Sequence, residues 1–176
     1  MKHTKHIFWF CLFALLIPLQ GGPHTAFASE GKLVPVHIEG TSFAINVPAD
    51  WDEGPFSGQS ILLSKSDGGK LYPNINVVME EKKGRSLPQA ISRWIAMLND
   101  PQVFENTAVT VNGIPVHLVM ASWNNPLVGG LKTLRLFVEQ GDFILVISYV
   151  TKANSTTATE INLYLESLNS FRQSKQ

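Results

Sequence analysis

Phe104-Glu105-Asn106-Thr107-Ala108-Val109-Thr110-Val111-Asn112-Gly113-Ile114-Pro115-Val116-His117-Leu118-Val119-Met120-Ala121-Ser122 is the stretch whose reading decides the fold. Two runs rich in β-branched residues flank Asn-Gly, the pair best able to take positive φ at both central positions of a two-residue hairpin turn. Strands are therefore predicted over Phe104–Val111 and Ile114–Ser122. Downstream, Leu131–Glu139 and Phe143–Thr151 repeat the pattern around Gln140-Gly141-Asp142. Phe143-Ile144-Leu145-Val146-Ile147 is apolar at every position, which predicts a central strand covered on both faces.

Working outward from this meander, Leu33–Ile38 and Phe43–Val47 flank the turn Glu39-Gly40-Thr41-Ser42. Ser60–Ser66 and Asn74–Glu81 flank Asp67-Gly68-Gly69-Lys70. Between the two groups of strands, Ser86 is placed as a helix N-cap with Pro88 in the first turn, where a missing N–H costs nothing. Leu87, Ala90, Ile91, Trp94, Ile95 and Leu98 then recur at helical spacing. That stripe predicts a helix with Trp94 in the core, stopped by Asn99-Asp100-Pro101. At the other end of the chain, Thr157 and Glu160 have capping-box spacing ahead of Ile161, Tyr164, Leu165, Leu168 and Phe171. Hairpins, helix, meander and helix define an α+β fold, an antiparallel sheet flanked by helices in an α/β/α sandwich.

The chain has 176 residues, with Lys and Arg (14) balancing Asp and Glu (14), five His and one Cys. Zero formal charge leaves no basic excess to neutralise phosphates and argues against a nucleic-acid partner. The N-terminus is read separately. Lys2 and Lys5 precede the unbroken apolar run Ile7–Leu19, and Ala26-Phe27-Ala28 follows, which is the tripartite pattern of a secretory signal. Residues 1–28 are expected to be a signal peptide cleaved between Ala28 and Ser29. A membrane anchor is the rival reading, but a 13-residue helix reaches about 20 Å against about 30 Å of hydrocarbon. Cys11, preceded by Trp9 and Phe10 in the middle of the apolar run, does not fit a lipid-attachment motif. The expected product is periplasmic or secreted, has no stable membrane anchor, and forms a single domain over residues 29–176.

That product has no cysteine, so thiol, zinc-finger and iron–sulfur chemistry are excluded. Its histidines are His37 and His117. His117 shares a strand face with Val119, Ala121 and Trp123 and reads as a structural strand histidine; a joint site with His37 lacks the carboxylates it would need. Asp50-Trp51-Asp52-Glu53-Gly54 begins like a calcium loop, but Pro55 and Ile61 stand where an EF-hand needs Gly and a bidentate Glu. Gly69-Lys70 lacks the rest of a P-loop, and no Gly-x-Ser-x-Gly elbow occurs. Ser29-Glu30-Gly31-Lys32 spells Ser-x-x-Lys without its partner motifs, and Asn154-Ser155-Thr156 is a glycosylation sequon. No catalytic residue, cofactor or metal site is therefore predicted. Aromatic and aliphatic residues in the loops Asp50–Gln59 and Asn124–Lys132 remain. Trp51, Phe56, Trp123, Leu127 and Val128 either close the rim of the core or form a partner-binding edge.

Phe43-Ala44-Ile45-Asn46-Val47-Pro48-Ala49-Asp50-Trp51 resembles the F-x-I-x-x-P-x-x-W opening of PsbP-like domains, the superfamily of PsbP, Mog and the bacterial DcrB-like proteins. Ser86-Leu87, Asn112-Gly113-Ile114-Pro115 and the L-x-S-F ending Leu168-Asn169-Ser170-Phe171 follow in the order of that family. The resemblance spans Leu33 to Phe171 and is strongest to exported DcrB-like proteins. It implies an antiparallel sheet between helices and a non-enzymatic role in binding or assembly; no metal-binding or partner-binding residue of the family can be matched here. The expected function is an exported accessory protein engaging an envelope protein or other component. The alternative is a hydrolase or metal-dependent enzyme with a site assembled from distant residues near His117.

Overall fold

The structure is a computed structural model that describes residues 33–53, 61–65, 73–154 and 157–174. The expected signal peptide and its Ala28–Ser29 junction, Ser29–Lys32, Phe56, the turn at 67–70 and the Ser155 and Thr156 positions of the sequon lie outside the described residues.

Seven strands form one antiparallel sheet: β3 (Trp51–Glu53), β4 (Ile61–Lys65), β5 (Asn74–Glu81), β6 (Gln102–Val111), β7 (Ile114–Asn125), β8 (Gly129–Gln140) and β9 (Phe143–Lys152). Their order is β3-β4-β5-β9-β8-β7-β6. The strand read as apolar on both faces, β9, is the fourth of the seven, and Ile144–Thr151 is buried throughout. A smaller sheet, β1-β2-β10, is made from β1 (Leu33–His37), β2 (Phe43–Pro48) and β10 (Arg172–Gln173).

The Asn112-Gly113 turn joins β6 to β7 with φ of 49° and 81°, the positive pair that a two-residue hairpin requires. Asn112 has a second task. Its Nδ2 donates to the carbonyls of Asn169 (2.6 Å) and Phe171 (2.9 Å), which ties the hairpin to the end of the C-terminal helix.

Side-chain alternation sorts the large sheet into two faces. Val116, Leu118, Leu136, Val138, Leu145, Ile147, Ile75 and Val77 face a core closed by β2 and by helix α2 (Ala158–Asn169). Val119, Phe137, Ile144 and Val146 face helix α1 (Leu87–Ala96) through Ala90 and Ile91. The fold is thus α+β, with one helix on each face of the sheet and the small sheet beside α2. Both helices start on the expected capping boxes, Ser86 with Gln89 and Thr157 with Glu160.

Three expectations need correcting. Trp94 packs against the α1-side core but is half-buried, because its ring also lines an open cleft beside α1. The segment read as the loop Asp50–Gln59 contains β3, whose Trp51 pairs with Lys65. The Asn124–Lys132 loop shrinks to residues 126–128, because the β7–β8 pairing runs out to Asn125 opposite Gly129.

Candidate functional site

The residues singled out in the sequence are divided between opposite sides of the sheet. Trp51, on edge strand β3, packs against the larger core and meets the Tyr164 ring edge-on, with centroids 6.4 Å apart. Trp123 lies on β7, beyond β4, β5, β9 and β8, where it pairs with Leu131 and is half-buried. Leu127 and Val128 occupy the tip of the same β7–β8 hairpin. There the Asn125 carboxamide oxygen accepts from the backbone N–H groups of Leu127 (2.9 Å) and Val128 (3.3 Å). This Asx turn fixes the tip while leaving Leu127 93% exposed.

The same end of the sheet collects more exposed apolar side chains. β6 begins there, with Gln102 opposite Ser122 and Val103 opposite Ala121, and both Val103 and Phe104 are exposed. The C-terminus of α1 is brought alongside by Asn99, whose Nδ2 donates to the Asn124 carbonyl while the Asn124 N–H donates to the Asn99 carbonyl, both at 3.1 Å. Met97, next to it, is 67% exposed. Exposed apolar side chains gathered at one end of a sheet make that end a candidate contact surface.

His37 is exposed on β1. His117 Nε2 lies 2.6 Å from Asn106 Oδ1 across the β6–β7 ladder, and burial moves its pKa down from the ordinary histidine value. An amide partner orients an imidazole but neither supplies nor withdraws a proton. Among the described residues, no group of three or more His, Cys, Asp or Glu side chains could hold a metal ion.

A second feature has no local sequence signal. Beside α1 lies a cleft of about 400 Å³. Phe137, Ile144 and Val146 form its floor, and Ala90, Trp94 and Met97 form the helical wall. Lys83, Arg85 and Arg93 join Arg135 as cations in its lining, with Glu80 and Glu81 opposing them. The loop entering α1 is pinned in place. Arg85 donates to the carbonyls of Lys82 and Glu81, Lys82 N–H donates to the Asp142 carbonyl at 2.8 Å, and Lys82 pairs with Glu139 at 3.0 Å.

Arg135 is the unusual member. It stands on β8 opposite Val119 and Ser148, on the face that α1 covers. Its guanidinium carbon sits 4.1 Å from the centre of the Trp94 ring and 6.0 Å from that of Phe137. Its Nε is buried and donates no hydrogen bond. Burial draws its pKa down to about 10, while the charge of Glu80 acts in the opposite direction.

The architecture is PsbP-like. It matches the solution structure of cyanobacterial PsbP (CyanoP) from Synechocystis with a TM-score of 0.60 at 12% identity, over 89% of this chain and 99% of that one. It also matches LpqN, a protein involved in cell envelope biogenesis of Mycobacterium tuberculosis, with a TM-score of 0.53 at 14% identity, over 83% of this chain and 92% of that one. At such identities the likeness is one of fold, and fold alone does not carry function. No family model matches the sequence, and a search of curated proteins found no significant match. Among the described residues, no helix is long and apolar enough to cross a membrane.

Proposed function

We propose that this chain is an exported accessory protein that acts by binding rather than catalysis, engaging a protein of the cell envelope through the apolar end of its large sheet. The observation that carries this reading is Leu127, held 93% exposed by the Asx turn at the hairpin tip. An ordered backbone that presents a large aliphatic side chain to water has less entropy to lose on contact, and burying that side chain against a partner removes apolar surface from water. Export is supported by the signal pattern ending at Ala28, and the PsbP-like fold agrees with the resemblance to DcrB-like proteins. Binding is favoured over the hydrolase alternative because His117, around which that alternative is built, faces the Asn106 amide.

Site-specific photo-cross-linking in the native envelope tests the proposal. A cross-linker at Leu127 should trap one protein partner, and the same group at Asp142, in the turn at the opposite end of the sheet, should not. Leu127→Ser with Val128→Ser should weaken capture while changing stability by less than about 0.5 kcal/mol, as expected for exposed positions. Equal capture from both ends, or capture that survives the double substitution, would sink the reading.

A further inference from the structure

We propose that the cleft beside α1 is a binding site for a small organic anion, a carboxylate or phosphate group on an apolar body, with Arg135 as its recognition residue. The case begins with an unmet need. A guanidinium has five N–H donors and no acceptor, and burying one of those donors without a partner is costly. Among the described residues, the buried Nε of Arg135 has no hydrogen-bond partner, although the side chain as a whole is half-buried. Neighbouring hydroxyls do not answer it. Thr133, two residues along β8, and Ser148, directly opposite on β9, share its sheet face, and both bury their oxygens unpartnered. Glu80 lies near enough to favour the charged form, but no ion pair joins the two.

What surrounds Arg135 selects the class of ligand. The guanidinium sits over the Trp94 ring, and because Nε is sealed, the edge left for a ligand is that of the two terminal Nη groups. That edge matches the paired oxygens of a carboxylate or phosphate. Cations outnumber carboxylates in the lining, and Arg93 and Lys83 are exposed, so the approach also favours an anion. Phe137, Ile144, Val146, Ala90 and Met97 offer apolar surface to the remainder of the molecule. A volume of about 400 Å³ is at the small end of known ligand pockets. The cleft shares Met97 with the apolar end of the sheet, but its recognition residue Arg135 is not part of that end, and the proposal does not depend on the partner reading.

Octanoate and octyl phosphate serve as probes, titrated by calorimetry into the purified exported protein, with octanol and inorganic phosphate as controls. At least one of the two amphiphiles should bind at one site per chain, at least about tenfold more tightly than octanol; which of them binds tighter separates the carboxylate from the phosphate reading. Arg135→Met keeps the length and apolar stem of the side chain and removes the charge with its unpartnered, buried Nε–H. It should lower that affinity by about tenfold or more, the effect of losing a hydrogen bond to a charged group, while leaving the melting temperature unchanged or higher. Arg93→Glu, on the exposed wall of α1, should weaken binding several-fold without touching the core. Failure of both amphiphiles to saturate the protein, affinity for octanol equal to theirs, or unchanged affinity in Arg135→Met would each overturn the proposal. Should Arg135→Met fail to fold, unchanged affinity in Arg93→Glu overturns it instead.

Discussion

Phe171→Ala gives the sharpest test of how the chain closes its core. Phe171 follows α2 directly and has no exposed surface. Its ring centroid lies 5.0 Å from that of Phe43 at an interplanar angle of 33°. Truncating a buried Phe to Ala costs about 3–5 kcal/mol, and the value depends on how far the surroundings can collapse into the space. Collapse is hindered here on both sides. Asn112 holds the Phe171 carbonyl at 2.9 Å, and the next two residues pair with β2 through Arg172–Ala44 and Gln173–Phe43. A loss in the upper half of the range, about 4–5 kcal/mol, is therefore expected, of which about 1 kcal/mol belongs to the ring pair itself. For a domain of this size each kcal/mol shifts the melting temperature by about 2–4 °C, so a fall of about 8–20 °C should be seen. Urea unfolding followed by circular dichroism should show a lower midpoint with an unchanged slope. A double-mutant cycle with Phe43→Ala should return a coupling of about 1 kcal/mol. A loss below about 1 kcal/mol, or strict additivity of the two substitutions, would refute the packing on which this reasoning rests.

Trp94→Ala should cost about 2 kcal/mol in the same unfolding assay, less than the figure for a wholly buried aromatic, because the ring is half-buried and part of its contact is the stacked Arg135; a loss above about 4 kcal/mol would place α1 deeper on the sheet than described. For His117, the lowered pKa means that the unfolded chain binds the proton more readily than the folded one. Stability is therefore complete above the unfolded histidine value near 6.5 and falls as the pH drops through it towards the folded pKa. His117→Gln should flatten the dependence of melting temperature on pH between about 5 and 7, and an unaltered slope would show that His117 is not responsible for it.

Most of the fold was legible because its signals are local. The Asn112-Gly113 turn and both capping boxes act within a few residues, and the position of β9 follows from its composition. What escaped notice depends on partners far away in sequence. β3 is three residues long and exists because β4 lies beside it; β10 has two residues and is held by β2. Trp94 was placed correctly on the apolar stripe, but a stripe does not reveal how much sheet the helix covers. Arg135 was hidden by the alternation itself. Between Leu134 and Leu136, a charged residue reads as the solvated face of an antiparallel strand. Here α1 lies on that face, and the residue read as solvent-facing becomes a half-buried cation over Trp94. Of the suggested partner surface, Leu127 and Val128 stand out in water, whereas Trp51 packs against Tyr164 on the far edge.

The motifs that carry the family resemblance explain why fold and partner separate so sharply in this chain. Phe43 and Ile45 of the opening motif are buried in β2, and Trp51 lies against Tyr164. Leu168 and Phe171 of the closing motif are buried opposite them, with Phe171 on Phe43. Ser170 joins the two motifs: its Oγ accepts from Asn46 N–H at 2.7 Å and donates to the Ser167 carbonyl. Ser167 in turn donates to the Asn46 carbonyl, and Arg172 donates to the Asn46 side chain at 2.9 Å. Both motifs are thus spent on a single junction between the small sheet and α2. The residues of this junction are buried or half-buried, so they serve the fold first. Partner choice must then be written where the junction makes no demand. Among the described residues, two such places are the β7–β8 tip proposed for a partner, where Leu127 is exposed, and the α1 face of β8 proposed for a ligand. There, an apolar residue at position 135 would satisfy packing better than the arginine that is present. A position that works against packing is where selection for a ligand rather than for a fold should be sought.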